Sequence, residues 1–452
     1  MSSLDAKLAE HAAGVRFEHL SPQAIETAKI FLLDTIGVGI SGGSTSEVAP
    51  LLSAVGQWGT GNEVSLWGRR ATLTATQAVL VNAYQVHCQE FDCLHEGAVL
   101  HAMATLVPVL LTHAQLRGPV SGRALLTALA AGVDVSCTIG MASKLGLRFF
   151  RPAASGGFGA VAGLANLRGF DGATTLAALG HQLGQVSGTM QAHTEGSVVL
   201  PFQIGVNARA ALQSCDLAQA GFPSLQTPLT GRFGYLPLFE SEWDLESAMQ
   251  GLGQRWRLTE LSHKPYPSGR ATHGGIEGLG LLRQQAGFAL EDVAEIVVRG
   301  PSLLNHLVNR PGVERPTPNY ARLCMPYVLA KVLQHGALDP MHFRGEALTD
   351  PQTYALSLKV RMEKDDNPNP NALVAQEVTV RLNDGTILRH TIDAMLASPA
   401  RPLSREAQLR KFHRCWSLSA EPLGSPEAAI ALIDTLEECA DVRQLIACLT
   451  PS

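Results

Sequence analysis

The spacing of apolar residues changes twice along this chain. Up to about residue 262 they recur at helical intervals. Over 293–300, 354–364 and 376–393 they alternate with period two, and beyond about residue 400 the helical interval returns. A stripe of period 3.6 and an alternation of period 2 bury different faces, so these stretches call for different architectures. In residues 22–43, Ala24, Ala28, Phe31, Leu32 and Ile36 share one helical face. Pro22 suits the start of that helix and Gly42-Gly43 its end. Later helical stretches are rich in Gly and Ala, which lets helices approach closely. In the alternating region Asp384-Gly385 separates two strand-like runs, a hairpin signal. Helices are expected at 270–285 and 319–336. The fold class is therefore mainly α with an α+β second domain. Residues 1–262 and 398–452 are expected to form one large all-helical domain. Residues 268–394 are expected to form a smaller α+β lid with an antiparallel sheet.

Composition narrows the function classes. Apolar residues make up 46% of the 452, enough for a large core and incompatible with global disorder. Charged residues make up 17%, below the ~25% of an average soluble chain. Such a chain is expected to hide surface in an oligomer, here a homodimer. The net charge of −5 carries no basic bias, which argues against nucleic acid and acidic membrane surfaces as partners. None of the eight cysteines forms a CxxC pair, as expected for reduced thiols in the cytoplasm. The N-terminal run MSSLDAKLAEHAAGVRF lacks the apolar stretch of a signal peptide. His101, Asp134 and many glycines interrupt the longest apolar runs, so no segment reads as membrane-spanning.

Three clusters bring ionisable residues to helix ends or glycine turns. The first runs from His87 through Glu90, Asp92, His95 and Glu96 to His101, which opens an apolar helix. It reads as helix capping, as a metal site, or as an acid/base and substrate-binding loop. No HxxxH or HxH pair sets two imidazoles on one helical face, and Walker and dinucleotide fingerprints are missing, so neither metal nor organic cofactor is expected. A helix N-terminus keeps a nearby imidazole neutral, and a neutral imidazole can accept a proton. The second cluster, Phe149 to Gly159, sets Arg151 beside glycines and reads equally as an anion-binding turn or a close helix crossing. The third is His263-Lys264-Pro-Tyr266-Pro-Ser-Gly-Arg270-Ala-Thr-His273, where the two prolines stiffen the chain at the junction of helical and α+β parts.

These clusters, in this order, resemble the 2-methylcitrate dehydratase (MmgE/PrpD) family. The likeness runs through residues 32–42, 90–102, 151–172, 204–222, 264–278 and 321–333, nearly the whole chain, and is most specific in EFD…H and KPYP…H. The family includes 2-methylcitrate dehydratase, cis-aconitate decarboxylase and iminodisuccinate epimerase. The resemblance implies a helical domain with an α+β lid, a dimer, and proton removal or addition next to a carboxylate in a cleft between the domains. It carries the acidic position of the first motif onto Glu90 or Asp92, the histidine onto His101, and the lysine of the third onto Lys264, with His273 further on. It also shows departures. Phe150 or Arg151 stands where dehydratases and decarboxylases have a histidine, Leu200-Pro201-Phe202-Gln203 replaces a Lys-x-x-His run, and Asp92-Cys93-Leu94 replaces an acidic pair followed by threonine.

The function expected is a lyase or isomerase acting on a small (poly)carboxylate by abstraction of a proton α to a carboxylate, followed by dehydration or epimerisation. The rival expectation is a relative that binds a small carboxylate without catalysis. His101 and Lys264 are the expected catalytic pair. Glu90, Asp92, Arg151, Tyr266, Arg270 and His273 are expected to bind substrate.

Overall fold

A computed structural model describes residues 3–451. The chain is mainly α with an α+β second part, built around two large apolar cores. Helices Pro22–Gly42, Ala75–His87, Ala102–Arg117, Gly122–Ala142, Arg151–Leu167 and Val199–Gln219 surround the first core. Capping fixes where several begin: Ser21 accepts from the Ala24 amide and Ser121 from the Ala124 amide. Gly122–Ala142 crosses Arg151–Leu167 at Gly132 and Gly159. A Cβ on either would lie under 3 Å from the other's carbonyl oxygen, so only glycine permits the crossing. Gly122–Ala142 is also the one helix among the described residues long and apolar enough to cross a membrane. It runs through this core, and its Asp134 accepts from the Arg257 amide.

The tail belongs to the same core. Phe412, Trp416, Ile433, Leu445 and Leu449 pack with residues from the N-terminal helices. Two short ribbons interrupt the helical part, which the apolar spacing alone makes all-helical. They are β1 (Val64–Ser65) with β2 (Thr72–Leu73), and β3 (Leu94–His95) with β4 (Leu261–Ser262). Two-residue pairings are set by tertiary packing and leave no periodic trace. The second ribbon matters for function, because it ties the His87–His101 loop to the segment entering Lys264.

The second core lies between a four-stranded sheet and the helices His273–Ala286 and Met325–His335. The strands are β5 (Val293–Gly300), β6 (Val360–Lys364), β7 (Gln376–Leu382) and β8 (Ile387–Ile392), in the order β6-β5-β7-β8. The β7–β8 hairpin turns at Asp384-Gly385, where Gly385 has φ 91°. The sheet is mixed and not antiparallel, because β5 and β6 run parallel. The roughly sixty residues between them carry helices, the crossover that a parallel pair requires. Two further expectations fail locally. The run 354–364 is strand only from Val360. Before it lies helix Pro351–Ser357, because Pro351 at its first turn and Asp350, accepting from the Gln352 and Thr353 amides, start a helix there. The helix expected over 319–336 splits into Pro318–Arg322 and Met325–His335, the second starting with Pro326 in its first turn.

The docking of the tail can be tested at Gly122. Its amide donates to the Cys439 carbonyl, and a Cβ there would sit 1.6 Å from the Leu436 carbonyl oxygen. Gly122→Ala should destabilise the protein by about 3 kcal/mol, read as a lower urea midpoint. An unchanged midpoint would mean that the tail does not pack as described.

Candidate active site

His87 ends one helix and His101 caps the next, fourteen residues on. The loop between them folds back so that the two rings meet edge to face, 4.7 Å apart at their centroids. Asp92 lies between them, its carboxylate 3.1 Å from His87 Nδ1 and 3.0 Å from His101 Nδ1. A carboxylate only accepts, so each ring presents an Nδ1–H to Asp92 and turns Nε2 away from it. Lys264 arrives from β4 on its Pro-stiffened segment and donates to Glu90 Oε2 at 2.7 Å. Glu90 Oε1 lies 3.5 Å from His87 Nε2. All five side chains are buried.

The backbone around this cluster is strained. Glu90 (φ 52°), Val99 (φ 50°) and Ala397 (φ 70°) are the described non-glycine residues in the left-handed region. Glu90 and Val99 line the cavity, and the Ala397 carbonyl accepts from the amide of His263, next to Lys264. Strain of this kind costs about 1–3 kcal/mol per residue and persists where the surroundings fix the conformation. The cavity encloses about 560 Å³ counted out to its mouth. Its wall includes His87, Glu90, His101, His193, Lys264 and Arg270.

Family models match most of this chain: the MmgE/PrpD N-terminal domain over residues 6–248 and the MmgE/PrpD C-terminal domain over residues 266–435. The chain belongs to the MmgE/PrpD family. It is similar to the cis-aconitate decarboxylase of Mus musculus, 25% identical over 467 aligned positions that cover 99% of this chain and 94% of the relative. It is also similar to the cis-aconitate decarboxylase of Homo sapiens, 26% identical over 99% of this chain and 95% of the relative.

In this MmgE/PrpD chain the two histidines differ electrostatically. Burial opposes a charge on His87, but Asp92 and Glu90 outweigh it and raise its pKa above the ordinary value. At His101 burial prevails, aided by Lys264 and His87 against Asp92, and the pKa is lowered. One imidazole is thus disposed to hold a proton and its neighbour to lack one. Burial works against the charge on both carboxylates too. Lys264, His87 and His101 nevertheless hold Glu90 down at about 2, and the two histidines hold Asp92 well below its ordinary range. His87, Asp92 and His101 each place a ligand atom within 4.8 Å of the others and so form the set that could hold a metal ion. In this arrangement the Asp92 carboxylate is the hydrogen-bond partner of both rings.

The expected site residues divide into two groups. Glu90, Asp92, His101 and Lys264 meet in one cluster, and Arg270 reaches the cavity wall while bound to Glu96 at 2.8 Å. Arg151 does not face the cavity. Its guanidinium is taken by Glu240 at 2.9 Å, with Ser143 and the Leu145 carbonyl, and its neighbours Phe150 and Pro152 form the wall. His273 stands behind Arg270, with Nδ1 3.3 Å from its guanidinium and Nε2 donating to the Ser268 carbonyl. Tyr266 packs edge-on against His273. Neither Tyr266 nor His273 lines the cavity; both support Arg270 and the turn that carries it.

Two further imidazoles that line the cavity, His87 and His193, are not among the site residues expected from the sequence. His87 had a signal, since it ends a helix within the same acidic run. His193 had none at the level of spacing: it sits on the short helix Gln191–Glu195, closed by Gly196 at φ 65°.

The ionisation pattern predicts how stability follows pH. Burial lowers His193 and His263 to about 4. The unfolded chain therefore binds protons at these positions near 6.5, before the folded chain does. Their contribution is intact above ~6.5 and is lost as pH falls toward 4. Asp92 and Glu90 contribute above ~4 and lose that contribution below it. His87, shifted upward, opposes the first trend as a single group. The urea midpoint should fall steadily from pH 6.5 to 4 and drop further below 4. A midpoint that holds or rises over the upper interval would contradict this.

Proposed function

We propose that this chain is a lyase acting on a small carboxylate, and that it works by removing a proton α to the carboxylate. The observation that carries the reading is the Asp92 carboxylate shared by a neutral His101 and a proton-holding His87 at a cavity wall. The names of the two relatives support a lyase.

Proton removal needs a neutral base whose protonated form is stabilised as it gains charge. His101 Nε2 takes the α-proton, and Asp92 stabilises the resulting imidazolium through Nδ1–H. The electron pair released from the C–H bond moves into the carboxylate, giving an enediolate. Its added charge develops near the Lys264 ammonium and the protonated His87, which lower the barrier without having to move. His87, holding its proton, then serves as the acid. It protonates a departing β-hydroxyl in dehydration, as the electron pair of the enediolate forms the new double bond. Return of the proton to the opposite face instead gives epimerisation. A homodimer is part of the same proposal. Phe222, Leu225, Phe233 and Leu238 are more than half exposed within one stretch of chain, an apolar surface of the kind subunit contacts cover. Light scattering at micromolar concentration should give twice the chain mass; a monomer would contradict the dimer.

The chemistry is tested by incubation with β-hydroxy acids of one to three carboxylates in D₂O. Deuterium should enter the carbon α to a carboxylate. His101→Asn should slow exchange by about 100-fold or more, with little change in the urea midpoint. In the wild type kcat/KM should rise with pH through a value below the ordinary histidine range, since His101 must be neutral. Wild-type exchange into none of the acids, or His101→Asn exchanging normally, would overturn the reading.

A further inference from the structure

Two features of the cavity bear on what fills it. Eleven of its eighteen lining residues are apolar, among them Leu147, Leu200, Leu307, Val308, Leu323 and Leu373. The two permanent cations of its wall are already matched, Lys264 by Glu90 and Arg270 by Glu96. A ligand carrying several carboxylates would leave water for a wall with no free lysine or arginine to receive them, and burying an unmatched charge is costly.

One buried cation beside the cavity is unmatched. Among the described residues no carboxylate lies within ion-pair distance of Arg310, and its Nη1 has no hydrogen-bond partner. Its Nη2 donates to the His193 carbonyl and lies 3.2 Å from His193 Nδ1. A guanidinium offers only donors, so Nδ1 must be the bare nitrogen and the neutral ring carries its proton on Nε2. The neighbouring Leu307 carbonyl favours a proton on the same ring, whereas Arg310 resists a second one. His193 lines the cavity, and its Nε2 is buried without a hydrogen-bond partner. The pair is thus an N–H donor backed by a guanidinium that makes no ion pair, with Glu90, itself bound to Lys264, acting on both from farther off. That suits a single carboxylate.

We infer that the substrate class is a monocarboxylate with an aliphatic remainder, its carboxylate held by His193 Nε2–H with the Arg310 charge behind it and its hydrocarbon held by the leucine-rich wall. The inference rests on the reading of this cavity as the substrate site. His193 is then a binding residue for the carboxylate that becomes the enediolate, and Arg310 acts through it as a positioning residue.

Calorimetric titration of the full chain with 4-methylpentanoate and with propane-1,2,3-tricarboxylate tests this. The monocarboxylate should bind at least about tenfold more tightly. His193→Ala and Arg310→Met should each weaken it by about tenfold or more, and His193→Gln, which keeps a side-chain N–H, should regain most of the loss. Tighter binding of the tricarboxylate, binding of neither acid at 10 mM (roughly the weakest affinity worth the name here), or an unchanged affinity in His193→Ala would overturn the inference. If the variants fail to fold, the wild-type preference between the two acids decides. Failure of the underlying reading looks different. Monocarboxylate binding without α-proton exchange into any acid removes the chemistry and keeps the ligand class, whereas exchange into tricarboxylates alone does the reverse.

Discussion

Asp92 keeps its negative charge with no exposure to water, and much of the site follows from that. Removing a carboxylate from water costs several kcal/mol, and here two imidazoles offset the cost. Both must therefore reach one carboxylate, so one helix has to end at His87 and the next to start at His101. The loop between them has to turn sharply, which places Glu90 and Val99 in left-handed backbone. Glu90 is a second buried carboxylate, and it is matched from another part of the chain by Lys264. The same bonds fix the orientation of both rings, so what makes the buried charge tolerable also leaves each Nε2 free of Asp92.

The resulting cluster gives two identical side chains opposite shifts in proton affinity. His87 sits closer to negative charge, facing Glu90 as well as Asp92, and is shifted up. His101 feels Asp92 against burial, Lys264 and His87, and is shifted down. Neither shift needs a special residue type. Each arises from the order in which two carboxylates and one ammonium are placed around a pair of rings.

Much of this was legible in the sequence where it rests on local pattern. The change of period located the sheet, and Asp384-Gly385 located its hairpin. The acidic-histidine run and the Lys264 segment pointed to the cluster, because several ionisable groups at helix ends are costly unless paired. What stayed hidden depends on partners far along the chain. Nothing near Arg151 shows that Glu240 takes its guanidinium, so its charge looked free. Nothing near His193 shows Arg310, 117 residues away. The parallel pairing of β5 with β6 was hidden for a related reason, since alternation shows which face is buried and not which neighbour lies alongside.

Polar bonds cross the seam between the two cores close to the site. Lys264 binds Glu90, Arg322 donates to the Cys88 carbonyl, and Arg310 donates to the His193 carbonyl. Thr317 and Asn319 donate to the Gly196 and Ser197 carbonyls alongside. The helical part supplies Asp92, His87, His101 and His193. The α+β part supplies Arg310 and the wall residues Leu307, Val308 and Leu373. The ionisable cluster is therefore drawn from one side of the interface and the apolar wall from both. Substitutions in the α+β wall can reshape the cavity while leaving the Asp92 cluster intact, because that cluster is bonded within a single loop. The Lys264–Glu90 pair has no such separation. It is both a bond across the seam and the nearest permanent positive charge to the pair of imidazoles, so loosening the seam there also alters the charge balance that sets the two histidines apart.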